Sequence, residues 1–360
     1  MKVPLCIPTI TDEMKNAVLN VLDSHRYIKG PKISEFEDKF ARYCGVKYGS
    51  AVSSGTSAIY LALRALDIGP KDEVIVPSFT FIASATPILF VGAKPVFVDV
   101  GHDYLMDMDD LKKKITKKTK AVVCVHLYGQ MCDMDRLLKL KEKYGFYLIE
   151  DACQAHGAEF KGKKSGSFGD IGCFSFFPSK NMTVCGDGGM TVTNDKELKN
   201  KIDMLRDHGR DYSTEEGKFK STILGFNFRM SEISAAIGIE QLKHLDGWIK
   251  KRREIAKTYD NLITDKVVKP FENKNRKHVY HVYAIRSKKR DELRKFLSKN
   301  DIETGIHYPL AIHQQPIFSG RWNLPLTEKF CKEILSIPIF PSMKKEQIEF
   351  VAEKINEFFK

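Results

Sequence analysis

The sequence predicts an α/β protein, with a large domain on a mainly parallel sheet and a smaller α+β domain behind it. Two observations predict this. Through the first two-thirds of the 360 residues, runs rich in Val, Ile and Phe alternate with helical runs, the pattern of a sheet covered by helices. From Ser231 the alternation gives way to a long helical stretch, and one strand and two helices follow. A chain of this length accommodates two domains.

The elements follow in order. "AVSSGTSAIYLAL" (51–63) reads as a strand end, a small-residue turn and a helix start, the helix running over 54–69. The strands then expected are "EVIVP" (73–77), "KPVFVDV" (94–100), "KAVVCVHL" (120–127), "GFYLIED" (145–151), "IGCFSFF" (171–177) and "GMTVT" (189–193). Most are apolar at consecutive positions, as strands buried on both faces are. "DMDRLLKLKEKYG" (133–145) is helical, and so is the run from Ser231 to Leu262. That run carries the chain out of the large domain, so the division is placed at 1–245 and 246–360. "HVYHVYAIR" (278–286) is a strand, "KKRDELRKFLSKN" (288–300) a helix, and the final helix sets Ile348, Val351, Ile355 and Phe358 on one stripe. Without a repeat or low-complexity linker, the two domains are expected to pack together.

Composition narrows the function. At 42% hydrophobic and 29% charged the chain is of ordinary globular type. It lacks an apolar run of the roughly 18–20 residues that a membrane span needs. The N-terminus has no apolar core before a small-residue cleavage site, so a cytoplasmic protein is expected. Eight cysteines at 6, 44, 124, 132, 153, 173, 185 and 331 form no C-x-x-C pair, which reads as reduced, buried thiols with no disulfide framework and no metal site. The net charge of +12 includes "LKKKITKKTK" (111–120). With no interleaved aromatics and no reader motif, that stretch reads as a solvated face in preference to a nucleic-acid surface; the overall field also attracts polyanions such as nucleotide diphosphates.

Four features carry chemistry. Lys180 follows an apolar strand and precedes "GDGG", a setting for an amine that forms a Schiff base with a carbonyl compound. Asp151 ends the strand "GFYLIED", at the edge where α/β sheets bind ligands. A carboxylate there can hold a pyridine nitrogen protonated, as pyridoxal phosphate chemistry requires, or it can simply cap the next helix. The turn in "AVSSGTSAIYLAL" offers amides and the hydroxyls of Thr56 and Ser57 to an anion, although Ser-Gly-Thr-Ser is also ordinary capping. Phe79 and Phe81 lie just past "EVIVP", where either can stack on a planar ring or fill the core. His156 is equally open between packing and function.

These blocks occur in a consistent order, and the chain resembles the DegT/StrS family of pyridoxal-phosphate-dependent nucleotide-sugar aminotransferases. The similar blocks include "GPKISEFEDKFARYCGVKYGSAVSSGTSAI", "DEVIVPSFTFIASA", "GAKPVFVDV", "VHLYGQMCDMD", "IEDACQAHGAEFKGKKSGSFGDIGCFSFFPSKN" and "GFNFRMSEISAAIGIEQL". The resemblance implies the type I PLP-dependent transferase fold, with a seven-stranded type of sheet, and the cofactor pyridoxal 5'-phosphate, alternating with pyridoxamine phosphate. It implies Lys180 as Schiff-base lysine and proton shuttle, Asp151 on the ring nitrogen, Gln154 over the phenolic oxygen and Phe81 as the stacking ring. Thr56, Ser57 and Ser175 would bind the phosphate. Asn227 would reach it from the neighbouring subunit of a homodimer with shared active sites. His307 and Tyr308 would border the sugar.

The implied reaction moves an amino group from an amino acid, glutamate in the family, to a keto sugar of a nucleoside-diphosphate sugar, giving an amino sugar for surface glycans or related products. "FPSKN" followed by "GDGG" inclines toward a 3-keto over a 4-keto sugar. Two alternatives stand beside this reading. A sugar dehydratase of the same family would carry histidine in place of Lys180. A regulatory or nucleic-acid-binding relative that borrowed the fold is suggested only by the basic charge.

Overall fold

The computed structural model describes residues 1–211, 215–318, 320 and 322–360. Its centre is a seven-stranded sheet. The strands are β1 (Tyr48–Val52), β2 (Glu73–Pro77), β3 (Lys94–Val98), β4 (Thr119–Val125), β5 (Tyr147–Asp151), β6 (Ile171–Ser175) and β7 (Gly189–Thr193), in the spatial order β1-β7-β6-β5-β4-β2-β3. Neighbours from β3 across to β6 pair in parallel. β7 alone runs against the rest, pairing antiparallel with both β6 and β1.

The apolar runs follow from burial on both faces. Ile75, Val122, Cys124 and Leu148 enter a core on one side of the sheet. Their chain neighbours Val74, Val76, Val123 and Ile149 enter a core on the other. Helix α1 (Pro31–Cys44) adds Phe36, Phe40 and Ala41 to the first core, and α2 (Gly55–Ala65) adds Ala58, Ile59 and Leu61 to the second.

A third core gathers the C-terminal elements: β8 (Tyr283–Arg286) paired antiparallel with β9 (Ile334–Ile337), and the helices α4 (Arg290–Lys299) and α5 (Lys345–Phe358). Helix α3 (Glu232–Leu262) is continuous and serves two cores. Its Ala235, Ile239, Leu245 and Ile249 pack in the sheet core, whereas Ile255, Ala256 and Tyr259 pack in the third. The division expected at 245/246 thus falls inside a helix. Val3 also enters the third core and bridges to Ile302, so the N-terminal residues sit with the C-terminal elements.

The strand expected from residue 278 starts only at Tyr283. The segment before it is used otherwise. Val279 N–H donates to Gly129 C=O and His281 N–H to Tyr128 C=O, both at 2.9 Å, which ties the C-terminal elements to the turn after β4. The "LKKKITKKTK" stretch is mainly solvated, with Lys112, Lys113, Lys117, Lys118 and Lys120 exposed. Lys114 instead folds inward onto Phe97 C=O at 2.8 Å. No helix among the described residues is long and apolar enough to cross a membrane.

Candidate active site

The C-terminal ends of the parallel strands open on a cavity of about 390 Å³, where α/β sheets place their ligands. β5 delivers Asp151 to it. The register sets Asp151 beside Val125 of β4 and Cys173 of β6, so main-chain pairing fixes its position. Only 5% exposed, the carboxylate accepts the Ser84 hydroxyl at 2.6 Å and the Cys153 N–H at 3.2 Å.

β6 ends at Ser175, and the chain turns back through a loop that carries Lys180 before β7 begins. Lys180 N–H donates to Phe177 C=O, Phe176 N–H to Gly188 C=O and Val184 N–H to Phe176 C=O. The glycines of "GDGG" let β7 pass under the first turn of α2: a Cβ on Gly189 would lie 2.3 Å from Ser54 C=O oxygen. Lys180 borders the same cavity as Asp151. Burial pulls its amine below the ordinary lysine range, with the Cys153 thiol and then the Asp151 carboxylate opposing. A lowered amine pKa moves Lys180 toward the neutral form that acts as nucleophile and base in Schiff-base chemistry.

The third part is the start of α2. Ser54 caps the helix, accepting Ser57 N–H at 3.0 Å, while Ser57 Oγ accepts Ser54 N–H at 2.9 Å. Such boxes leave the intervening amides free, and those of Gly55 and Thr56 face no partner among the described residues. Gly55, Thr56 and Ser175 border the cavity. A Cβ on Gly55 would lie 2.7 Å from Ser175 Cβ and 2.8 Å from Cys153 Sγ, so glycine permits the close approach of helix and strand.

The rim comes from distant segments. Gln154 is clamped twice: its Oε1 accepts Tyr128 N–H at 2.8 Å and its Nε2 donates to Tyr308 Oη at 3.1 Å. The Tyr308 ring stands 5.7 Å from that of Phe81, at 36°, and Phe81 is 53% exposed. His307 Nδ1 lies 2.8 Å from Ser336 Oγ, and its carbonyl accepts the Tyr128 hydroxyl. Burial, with the Lys180 charge behind it, lowers the His307 pKa.

Of the ten residues to which the resemblance assigns a role, Thr56, Phe81, Asp151, Gln154, Ser175, Lys180, His307 and Tyr308 border one cavity. Ser57 does not, because its hydroxyl is turned back onto Ser54 in the cap. Asn227 is exposed outside the cavity, in a bridge with Asp207. Phe79, left open against Phe81, is core: it is 1% exposed and packs against Tyr128 and Phe330. His156 packs among Phe40, Phe174 and Phe176, where burial first and the Lys180 charge second lower its pKa to about 3.

Thr80, Ser84, Cys153 and Asp187 also border the cavity. Ser84 carried no local signal: it lies in the turn Ile82–Ser84, beyond the end of β2 at Pro77, and nothing in its neighbourhood tied it to Asp151. All eight cysteines are free, but the expectation of uniform burial fails at Cys185, which is exposed, and at Cys6 and Cys153, which are partly so. Cys124, His126 and Cys132 gather beneath β4. Both ring nitrogens of His126 are engaged within the protein, Nε2 with Glu150 at 2.9 Å and Nδ1 with Cys132 N–H at 3.2 Å.

Each demand of pyridoxal phosphate meets a group here: an amine for the aldehyde, a carboxylate for the ring nitrogen, and amides and hydroxyls for the phosphate. The volume accommodates a substituted pyridine. Fold and site together define a pyridoxal-phosphate-dependent aminotransferase.

Comparison with known proteins makes this specific. The chain belongs to the DegT/DnrJ/EryC1/StrS aminotransferase family, whose sequence profile matches residues 8–356. It is 42% identical to a protein of Geobacillus stearothermophilus named "Pleiotropic regulatory protein", over 97% of this chain and 96% of that one. It is 41% identical to the UDP-N-acetyl-3-dehydro-alpha-D-glucosamine 3-aminotransferase of Acidithiobacillus ferrooxidans, over 96% and 94%. The crystal structure of S. venezuelae DesV in complex with a ketimine intermediate superposes with a TM-score of 0.92 at 38% identity, covering 96% of this chain and 94% of that one.

Proposed function

We propose that the protein transfers an amino group from an α-amino acid, L-glutamate by preference, to the keto carbon of a nucleoside-diphosphate sugar, and that the carbon aminated is C3. The observation that carries this reading is the convergence of Lys180, Asp151 and the α2 amides on one cavity. The name of the 41% identical relative supports a nucleotide sugar with a keto group at C3.

Bound pyridoxal phosphate supplies the electron sink that makes the proton beside an amine removable. The chain's own residues do the rest. Asp151, oriented by Ser84 and the Cys153 amide, would hold the ring nitrogen positive. Thr56, Ser175 and the Gly55 and Thr56 amides would hold the phosphate, and Gln154 would face the ring's oxygen. Lys180 Nζ would take the proton from the donor α-carbon and hold it for return, and would act in the opposite sense with the keto sugar. His307 and Tyr308 border the sugar.

The working unit is a homodimer in which Asn227 of one subunit completes the phosphate site of the other. Exposed apolar side chains in the same segment support this: Leu224 is 72% and Phe219 92% exposed. A cytoplasmic location accords with nucleotide-sugar substrates.

A panel of nucleoside-diphosphate 3-keto and 4-keto sugars, assayed with glutamate, tests the reading. Amination of a 3-keto sugar is expected; exclusive amination of a 4-keto sugar refutes the C3 assignment. Borohydride should bleach the yellow enzyme and fix the cofactor to Lys180, read by peptide mass. A colourless protein that shifts DNA at physiological salt would favour the regulatory reading that one relative's name raises.

A further inference from the structure

A second, smaller cavity of about 120 Å³ meets the first at Lys180. Gln154, Ser179, Lys180, His307 and Tyr308 border both. The rest of its wall comes from the N-terminal segment (Leu5, Cys6), the segment entering β8 (His281, Val282), and β9 with the residues after it (Ser336, Ile337, Ile339). Its size corresponds to about four water molecules at liquid density. A nucleotide sugar does not enter such a space, but a carboxylate on a short carbon stem does.

The wall offers hydrogen-bonding groups and, among the described residues, no carboxylate. No aspartate or glutamate borders the recess, while the Lys180 amine, two imidazoles and the Ser336 hydroxyl do. His281 Nδ1 is buried and has no hydrogen-bond partner among the described residues. Behind Cys6 and His281 lies Arg252, 2% exposed. Its Nη1 donates to the carbonyl oxygens of Tyr280, His281 and Ile339 at 3.2, 3.4 and 2.9 Å. No carboxylate pairs with it among the described residues, and the ionisable group that opposes its burial is the Cys6 thiol. Buried charges are ordinarily paired. Burial, then the charges of Lys180 and Arg252, push His281 well below the usual histidine range, as expected where cations crowd without an anion.

We propose that this recess receives the α-carboxylate of the amino donor, bound by His281, His307 and Ser336 in the field of Arg252. The α-carboxylate is the group concerned because it shares a carbon with the reacting amine, and the recess opens at Lys180. The inference rests on the amino-acid donor proposed above. His281 and Ser336 are thereby donor-binding residues, and donor and nucleotide occupy different parts of the site.

The test titrates the holoenzyme with 2-methylglutamate, which lacks the α-proton and so binds without completing transfer, and with UDP, GDP and dTDP. His281→Gln and Ser336→Ala are each expected to weaken 2-methylglutamate at least tenfold, while the affinity for whichever nucleotide the wild type binds stays within twofold. The α-carboxamide of the probe should bind the wild type at least tenfold more weakly than the acid. Using two variants guards against one misfolding. Unchanged probe affinity in both variants, equal loss of nucleotide affinity, or a carboxamide that binds as well as the acid overturns the recess, even though glutamate still discharges the yellow colour. A wild-type holoenzyme that neither binds the probe nor loses colour with any α-amino acid overturns the donor reading and the recess together.

Discussion

The wall of the cavity that carries Asp151, Ser175 and the first turn of α2 differs from the wall that carries His307 and Tyr308 in what holds it. The first is framed by main chain: parallel pairing sets Asp151 beside Cys173, and a helix N-terminus presents its own amides. The second is held by single side-chain contacts between distant segments, such as Gln154 to Tyr308 and Ser336 to His307. A wall made of backbone has one arrangement; a wall made of side chains can be retuned a residue at a time. The difference suits a catalyst whose cofactor is constant and whose substrates vary, and it predicts steep losses on the first wall and graded ones on the second.

Lys180→Ala should give the largest loss. A positioned acid–base group contributes typically 10²–10⁴-fold, and covalent attachment is lost as well, so turnover should fall by at least about 10³-fold. Cofactor should remain bound without a covalent link, seen as retained absorbance that denaturation releases. Full turnover in this variant would break the comparison at its root. Asp151→Asn keeps the shape and removes the charge. Hydrogen bonds to charged groups are worth roughly 1.5–3 kcal/mol, so kcat should drop about 10–100-fold, with the fold intact by circular dichroism.

Gly55→Ala probes the framing itself. Alanine is the better helix former by about 1 kcal/mol, but the new Cβ meets Ser175 Cβ at 2.7 Å and Cys153 Sγ at 2.8 Å. Overpacking of this kind costs about 1–3 kcal/mol, taken up where helix and strand meet. Cofactor affinity should fall about tenfold while the melting temperature moves little. Unchanged affinity would mean that the amides do not grip the phosphate.

His156 backs the first wall and sets its acid limit. Its pKa of about 3 lies below the ordinary 6.5, so between those values the unfolded chain binds the proton that the folded chain refuses. The contribution to stability is complete above 6.5 and is lost as pH falls toward 3. At pH 5 that amounts to about 2 kcal/mol. Urea denaturation at pH 7 and pH 5 should show wild type losing about that much more than His156→Phe, whose new ring sits among phenylalanines. His278, also lowered to about 3, keeps its own share in both proteins.

The two walls were unequally legible in the sequence. Asp151, Lys180 and the Thr56 turn were readable because each sits at the end of a local element: apolar runs marked the strands, and Ser-Gly-Thr-Ser marked a helix start. Ser57 shows the limit of that reading, since the same motif supplies either a phosphate hydroxyl or a cap, and here the cap takes the hydroxyl. The division at 245/246 was drawn inside the helical run, and apolar spacing alone does not locate the hand-over between cores. A helix shows its apolar spacing but not which core each half enters, and α3 enters two. The 278–282 segment looked like more of β8 because alternation does not say whether the bonding partner is a strand or the Tyr128–Gly129 turn. The second wall was reached only through family resemblance. Contacts such as Ser84 to Asp151 or Ser336 to His307 join residues far apart in sequence, and no local pattern encodes them.

Tyr308→Phe sharpens the comparison from the side of the second wall. It deletes one hydroxyl, the acceptor for Gln154 Nε2 at 3.1 Å, and leaves the ring beside Phe81. Gln154 keeps its bond from Tyr128 N–H, so it stays clamped at one end. A neutral hydrogen bond is worth about 0.5–1.5 kcal/mol net, which corresponds to roughly a two- to tenfold fall in kcat/KM with an unchanged melting temperature. If the second wall is adjustable, that loss should differ between sugar substrates and be smaller for glutamate, which separate half-reaction measurements on the two substrates would show. A loss as deep as that of Asp151→Asn, equal for both, would mean that Gln154 and Tyr308 belong to the rigid framework, and the contrast between the walls would fail.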